Sequence, residues 1–311
     1  MNASSRIAVV GATGAVGRVT LALLRERGFS DVHALASERS AGLTIDGLDV
    51  EEATPERLAG GDFDVCLFSV DAAASRELVP ATAAAGALCV DKSAAFRLED
   101  GVPLVVPEVN AERALEHRGI VANPNCSSIP LALVLAPLRD AAGLARVRVS
   151  TYQSASGAGA QALERLRAER PDDHDLRMDW SFDGFELDEE QKIRAETRKI
   201  LELPELPLSA TCVRVPVPVG HAEAVWIETE DALSAEQAER ILGAAEGIRL
   251  VQFPSPAQAT GGDDVLVGRV RQDTVAERGL ALFLACDNLR KGAALNAIQI
   301  AELVTAARAA A

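Results

Sequence analysis

The sequence predicts an α/β protein in two parts: an N-terminal parallel sheet wound with helices, then an α+β part whose sheet is largely antiparallel. Three observations carry this expectation. Up to residue 122, short apolar runs of strand length alternate with helical patterns, the arrangement of a doubly wound sheet. The first of these runs passes at once into a glycine-rich turn and a helix. From Arg146 onward, segments such as RVRVSTYQ alternate polar and apolar residues, as antiparallel strands with one solvated or ligand-facing surface do.

At 311 residues the chain is long enough for two domains with well-buried cores. Hydrophobic residues make up 48% and aromatic residues only 4%, so those cores are built from Ala, Val, Leu and Ile. The 31 basic and 46 acidic side chains leave a net charge of -15, which argues against general affinity for nucleic acid or an anionic membrane. An anionic ligand then needs a local cluster of Arg or Lys. The start of the chain lacks an export-signal pattern, and no apolar run reaches the roughly 18 residues that a membrane span needs. Five cysteines without close pairing fit a reducing compartment, with the cytoplasm as expected location. No His, Cys or carboxylate cluster has metal-ligand spacing, so no metal is expected.

The first strand is RIAVV at 6–10, and the turn after it reads Gly11-Ala12-Thr13-Gly14-Ala15-Val16-Gly17. Glycines there permit a tight turn and close approach of a phosphate, which the following helix N-terminus holds. This predicts a Rossmann-type dinucleotide site. The second strand, VHALA at 32–36, runs into Ser37-Glu38-Arg39-Ser40. Ser37, Arg39 and Ser40 offer hydroxyls and a cation for a 2′-phosphate, which favours NADP over NAD, although Glu38 is a ribose-type carboxylate in the same loop. DVCLFSV at 64–70 and ALCV at 87–90 read as further buried parallel strands around an Ala-rich helix at 72–85. Ser93 and Arg97 follow the last of these, where loops at strand carboxyl ends collect ligands.

Asn123-Pro124-Asn125-Cys126-Ser127-Ser128 places one cysteine in a polar turn before the apolar helix pattern IPLALVLAPL. Pro130 is tolerable in a first helical turn. Cys126 would sit at the positive end of that helix, where amides and the helix dipole favour a thiolate. The other cysteines, 66, 89, 212 and 286, lie in apolar strand-like runs and read as core. Beyond 146 come a charged, mostly helical stretch at 161–202 with a looser patch at 171–188, and the strand TCVRVPVPV at 211–219, an edge or irregular strand by its prolines. His221 is the one histidine at a strand-end turn; His33 falls inside a strand read as buried. A helix at 234–245, two more strands and an amphipathic helix at 288–308 complete the pattern. Glu189 and Lys192, three apart on one helix face, read from spacing alone as a solvated ion pair.

The motifs GATGAVG, ASERSAG, PLVVPEVN after Arg97, NPNCSS, TYQSASGAG, EEQK, CVRVPVPVGH and DNLRKGAALNAIQIAEL together resemble the aspartate-β-semialdehyde dehydrogenase family over nearly the whole chain. N-acetylglutamyl-phosphate reductases share the architecture, but they typically carry glycine where this chain has Asn125. The resemblance implies NADP-dependent reductive dephosphorylation of β-aspartyl phosphate through a Cys126 thioester, in biosynthesis of the aspartate family of amino acids. It makes His221 the acid/base, with Gln153 and Asn125 positioning the acyl group and the developing oxyanion. Arg214 would hold the substrate carboxylate, Glu189 the ammonium, and Arg97 with Lys192 the phosphate. Ser156, Gly157 and Asn288 join the cofactor site. The implied NADP domain is 1–124, completed by a C-terminal helix at 289–311, and 125–288 is a catalytic and dimerisation domain of a homodimer.

Two departures from the family pattern stand out: Lys92 where Asn is usual, and a shortened 161–189 region in which DLRMDWSFDGFEL replaces an apolar segment. The second is the one support for a related acyl-phosphate reductase of different substrate. A non-catalytic NADP-binding paralogue is the remaining alternative, and retention of Cys126, Gln153, Arg214 and His221 speaks against it.

Overall fold

A computed structural model of the chain describes Met1 and residues 5–168 and 180–310. Met1–Pro124 with Ala293–Ala311 form one compact unit, and Asn125–Gly292 form the other.

In the first unit the chain runs β1 (Ile7–Val10), α1 (Ala15–Glu26), β2 (Val32–Ala36), β3 (Thr44–Ile45), β4 (Leu48–Glu52), α2 (Pro55–Ala59), β5 (Val65–Phe68), α3 (Ala72–Ala84), β6 (Leu88–Asp91), α4 (Pro107–Asn110) and β7 (Ile120–Ala122). They form one seven-stranded sheet in the order β3-β4-β2-β1-β5-β6-β7, parallel except for the β3–β4 pair. Successive strand residues face opposite sides. Ile7, Val9, Val65, Leu67, Leu88 and Val90 pack under α1 and the C-terminal helix Leu295–Ala310. Ala8, Val10, Cys66, Phe68 and Cys89 pack with Leu78 and Val79 of α3 on the other side. Burial on that face pushes the Cys66 thiol up to about 12 and Cys89 well above its ordinary value, so both are inert core thiols.

Two readings of this unit need correction. His33 is half-buried rather than core: it lies near the start of β2, where its imidazole meets Asp31 at 2.8 Å and Glu51 at 3.4 Å. The C-terminal helix, expected to be amphipathic from 288, opens with a π-helical turn at Arg290–Ala294 and is buried on most sides through Ala301. An Ala-rich surface lets sheet and helices approach it on several sides.

The second unit contains α5 (Ser128–Ala142), β8 (Arg146–Gln153), α6 (Ala160–Arg167), α7 (Asp188–Leu201), β9 (Leu208–Arg214), β10 (His221–Glu228), α8 (Ala235–Ala244), β11 (Ile248–Leu250), α9 (Pro256–Ala259), β12 (Val265–Gln272) and β13 (Gly279–Cys286). Its six-stranded sheet has the order β11-β12-β13-β10-β8-β9. The β12–β13–β10–β8 pairings are antiparallel, and the two edge strands β9 and β11 are added in parallel. The expected strand at 211–219 ends at Arg214, since Pro216 and Pro218 have no amide to continue the ladder. α5 is apolar around its circumference and packs against α7 and β13, while α7 covers β9.

Among the described residues no helix is long and apolar enough to cross a membrane.

Candidate active site

In the first unit, β1 has β2 on one side and β5 on the other, so the strand order reverses at its carboxyl end. Open α/β sheets bind nucleotides at such a switch point. The turn after β1 is shaped for it. Gly11 has φ +84°, and a Cβ there would lie 2.4 Å from the Ser69 carbonyl oxygen. A Cβ on Gly17 would lie 2.2 Å from the Gly11 carbonyl oxygen, which is what lets α1 sit directly against the turn. Gly14 caps α1 without a side-chain bond, and no acidic residue occupies its first turn, so the amide end suits a phosphate. Thr13 Oγ1 donates to Ser40 Oγ at 3.5 Å, joining the turn to the loop after β2. That loop is a 3₁₀ turn in which Ser37 and Arg39 are exposed and Ser40 half-buried. The donor set and the glycine cradle fit a dinucleotide with an extra phosphate on its ribose.

Arg97 is buried in the same unit; its Nε donates to the Asn123 carbonyl at 3.1 Å and its Nη2 to the Lys92 carbonyl at 2.6 Å. The Lys92 side chain reaches under α1 to Thr20 Oγ1 at 3.4 Å. Desolvation pushes its ammonium down to about 7, against the pull of Asp91.

The second unit assembles a thiol site. Asn125 Oδ1 accepts the Ser127 N–H at 2.8 Å, and the Asn125 carbonyl accepts the Ile129 N–H at 3.0 Å. This turn leads into α5 and leaves Cys126 half-buried, unlike the four core cysteines. Cys126 Sγ lies 3.2 Å from His221 Nε2. The backbone N–H of Ser154 points at His221 Nδ1 at 3.1 Å, and an amide can only donate, so Nδ1 keeps its lone pair. In the neutral ring the proton is therefore on Nε2, facing the sulfur. His221 is neutral: burial, and then the charge of Arg214, push it down to about 3, against a small opposing effect of the Gly220 backbone.

Around this pair the buried sheet face supplies polar groups in register. Gln153 pairs with Arg214 across β8 and β9, and His221 with Cys286 across β10 and β13. Gln153 Nε2 and Asn125 Nδ2 both donate to Glu189 Oε1, at 3.1 and 2.9 Å. Arg214 is buried, donates from Nη1 to the Ser154 carbonyl at 3.0 Å, and has its Cζ 4.6 Å from the Trp180 ring centre. Gly157 has no room for a side chain, since a Cβ would lie 2.9 Å from Arg214 Nη1 and 3.0 Å from the His221 ring. Asn288 Oδ1 accepts the Gly220 N–H at 2.9 Å, and its Nδ2 donates to Ser156 Oγ at 3.0 Å, so it ties together the turns that hold His221. The expected Glu189–Lys192 pair is long, 3.8 Å; the ammonium bonds Asp188 Oδ2 at 2.7 Å instead, one turn back on α7.

Several residues of this site escaped the sequence reading. Ser154, which sets the His221 tautomer, lay unnoticed between Gln153 and Ser156. Glu196, which accepts the Asn125 N–H at 2.6 Å, is two helical turns beyond Glu189, and that spacing was its available signal. Glu223 is fully buried on β10, two residues from His221, and neither carboxylate oxygen has a hydrogen-bond partner among the described residues. Desolvation pushes it well above the ordinary carboxylate range. His174 lies outside the described residues.

A nucleotide-type sheet with a glycine cradle in one unit, and a half-buried thiol against a neutral imidazole in the other, are features of a nucleotide-linked oxidoreductase. Residues 6–117 match the family model "semialdehyde dehydrogenase, NAD binding domain", and 135–183 and 179–291 match "semialdehyde dehydrogenase, dimerisation domain". The chain belongs to the semialdehyde dehydrogenase family. It is 46% identical to an aspartate-semialdehyde dehydrogenase of Corynebacterium melassecola, with 96% of this chain and 98% of that protein covered. It resembles the crystal structure of aspartate semialdehyde dehydrogenase II from Vibrio cholerae complexed with ASA, with TM-score 0.91, 39% identity and coverage of 96% and 98%. It also resembles aspartate semialdehyde dehydrogenase with NADP from Candida albicans, with TM-score 0.79, 27% identity and coverage of 97% and 99%. The Corynebacterium alignment has 341 positions against the 311 residues of this chain, so at least 30 positions, 341 less 311, have no counterpart here.

Proposed function

We propose that this chain catalyses the NADP-dependent reductive dephosphorylation of β-aspartyl phosphate to aspartate β-semialdehyde, through a thioester on Cys126. The observation that carries the reading is the 3.2 Å contact between Cys126 Sγ and an imidazole whose proton faces the sulfur, in a chain whose relatives are aspartate-semialdehyde dehydrogenases. A neutral Nε2–H stabilises the thiolate without needing a buried positive charge. The thiolate attacks the acyl carbon, the C–O bond to phosphate breaks, and phosphate leaves with that electron pair. When bound, NADPH supplies the hydride that reduces the acyl group. His221 Nε2–H then faces the oxygen that gains charge, and collapse returns the sulfur as thiolate with release of the aldehyde.

Gln153 and Asn125 are the groups proposed to orient the acyl oxygen, held in place by their shared carboxylate acceptor on Glu189. Arg214 is proposed to bind the α-carboxylate, its planar fork suited to two carboxylate oxygens, and Glu189 the ammonium. Arg97 and Lys192 are assigned to the phosphate on the family resemblance. Gly11 to Gly17, Ser37, Arg39 and Ser40 are proposed to bind NADP, with Ser156, Gly157 and Asn288 toward the nicotinamide. Asn288 acts in part by holding Ser156 and Gly220. The first unit is read as the nucleotide domain and the second as the catalytic and dimerisation domain of a homodimer.

The test follows NADPH formation from aspartate semialdehyde, NADP and phosphate. Wild type should give a signal that the Cys126→Ser variant lacks. Equal rates in the two proteins would overturn the reading.

A further inference from the structure

Trp180 lies just before α7, next to the overlap at 179–183 of the two stretches that match the dimerisation-domain model. The stretch that leads into α7 is tightly tied down. The Ser181 N–H donates to Asp188 Oδ1 at 2.9 Å, and the Asp188 N–H returns to the Ser181 carbonyl at 2.9 Å. Phe182 and Leu187 form an antiparallel bridge, and Asp183 Oδ1 accepts the Phe185 and Glu186 amides. Trp180 is thereby fixed to the start of the helix that carries Glu189.

From that anchor the indole lies over Arg214, 4.6 Å from ring centre to Cζ. Arg214 Nη1 also donates to the Ser154 carbonyl at 3.0 Å, and the Gly157 backbone leaves no space beside Nη1. A guanidinium has two apolar faces, and its five N–H donors all lie in its plane along the rim. Covering a face with an aromatic ring removes water from it, fixes its plane, and presents the edge to a planar acceptor.

We infer that Trp180 is a specificity-determining residue: by stacking on Arg214 it orients the guanidinium edge for the substrate α-carboxylate, and so selects substrates that carry one. The inference rests on the proposed role of Arg214. It assigns to the shortened segment a task in substrate selection, rather than a change of substrate.

The experiment compares aspartate semialdehyde with 3-aminopropanal, which keeps the aldehyde and amine and lacks the carboxylate, in wild type, Trp180→Ala, Trp180→Phe and Arg214→Lys. Trp180→Ala should raise KM for aspartate semialdehyde about fivefold to tenfold with kcat within about twofold, and Trp180→Phe should recover most of the loss. For 3-aminopropanal, kcat/KM should change by less than about twofold; if its turnover is too slow to follow, its inhibition constant against aspartate semialdehyde makes the same comparison. A Trp180→Ala protein that handles both compounds as wild type does, or loses both equally, overturns the inference. If Arg214→Lys also fails to separate the two compounds, the carboxylate role of Arg214 itself falls. If Arg214→Lys separates them and Trp180→Ala does not, only the role of Trp180 falls.

Discussion

The glycine turn after β1 and the thiol site around Cys126 are built by opposite means. Residues Gly11 to Gly17 are contiguous, and the turn's shape follows from backbone alone: a Cβ added at Gly11 or Gly17 would fall only 2.4 or 2.2 Å from a carbonyl oxygen. The thiol site draws Asn125 and Cys126 from the turn before α5, Gln153 from β8, Glu189 from α7, Arg214 from β9 and His221 from β10. Its properties depend on which atoms meet, such as the Ser154 amide at His221 Nδ1. A local backbone motif is robust to everything except a new Cβ. A site of convergent side chains fails by losing any one partner.

Substitutions sharpen this contrast. The largest expected effect is His221→Asn, which removes the Nε2–H beside the sulfur and should lower kcat by about 10²- to 10⁴-fold, measured as steady-state NADPH formation. A fall below tenfold would mean that the pair is not the proton-handling centre. Gly17→Ala comes next. Its Cβ would press on the Gly11 carbonyl and the Ala12 backbone, so NADPH affinity should fall more than about tenfold, the equivalent of 1.4 kcal/mol. Alkylation of Cys126 by iodoacetamide should keep its wild-type rate. A parallel loss of both would show that the two regions are not independent.

The smallest effect concerns stability. Glu223 has a folded pKa well above its unfolded value, so above the unfolded pKa the folded state holds more protons than the unfolded one. Its contribution to stability is therefore full below about pH 4, near the unfolded Glu pKa of about 4.3, and is lost progressively as pH rises toward the folded pKa. Glu223→Gln removes that loss. Its Tm should exceed that of wild type by a margin that grows from pH 5 to pH 8. A constant or shrinking margin would contradict the buried, protonated state of Glu223. His221 has the opposite sign: its folded pKa is depressed to about 3, so its penalty appears as pH falls from the unfolded value of about 6.5.

The parallel sheet was legible because its strands are short, largely apolar runs, the first followed by a glycine turn; the observed β1, β2 and β5 fall within those runs, and β6 extends past its run by Asp91. The alternation of RVRVSTYQ foretold β8 and which of its residues face inward. What the sequence left open was surroundings. The Lys192–Glu189 pair is present at 3.8 Å, but Glu189 is buried rather than solvated and Asp188 shares the ammonium at 2.7 Å, and His33 is half-buried beside Asp31 and Glu51.

By itself the sequence determined what is local: the strand–turn–helix of the nucleotide site, and the polar setting that separates Cys126 from four core cysteines. Only the tertiary structure decided the charge states and orientations. The neutral His221 follows from full burial beside Arg214, its tautomer from the Ser154 amide, and the placing of Trp180 over Arg214 from the chain before α7. The physical reason is range. Backbone preference and hydrophobic periodicity act between neighbours along the chain, whereas desolvation and hydrogen-bond pairing depend on groups brought together from distant positions.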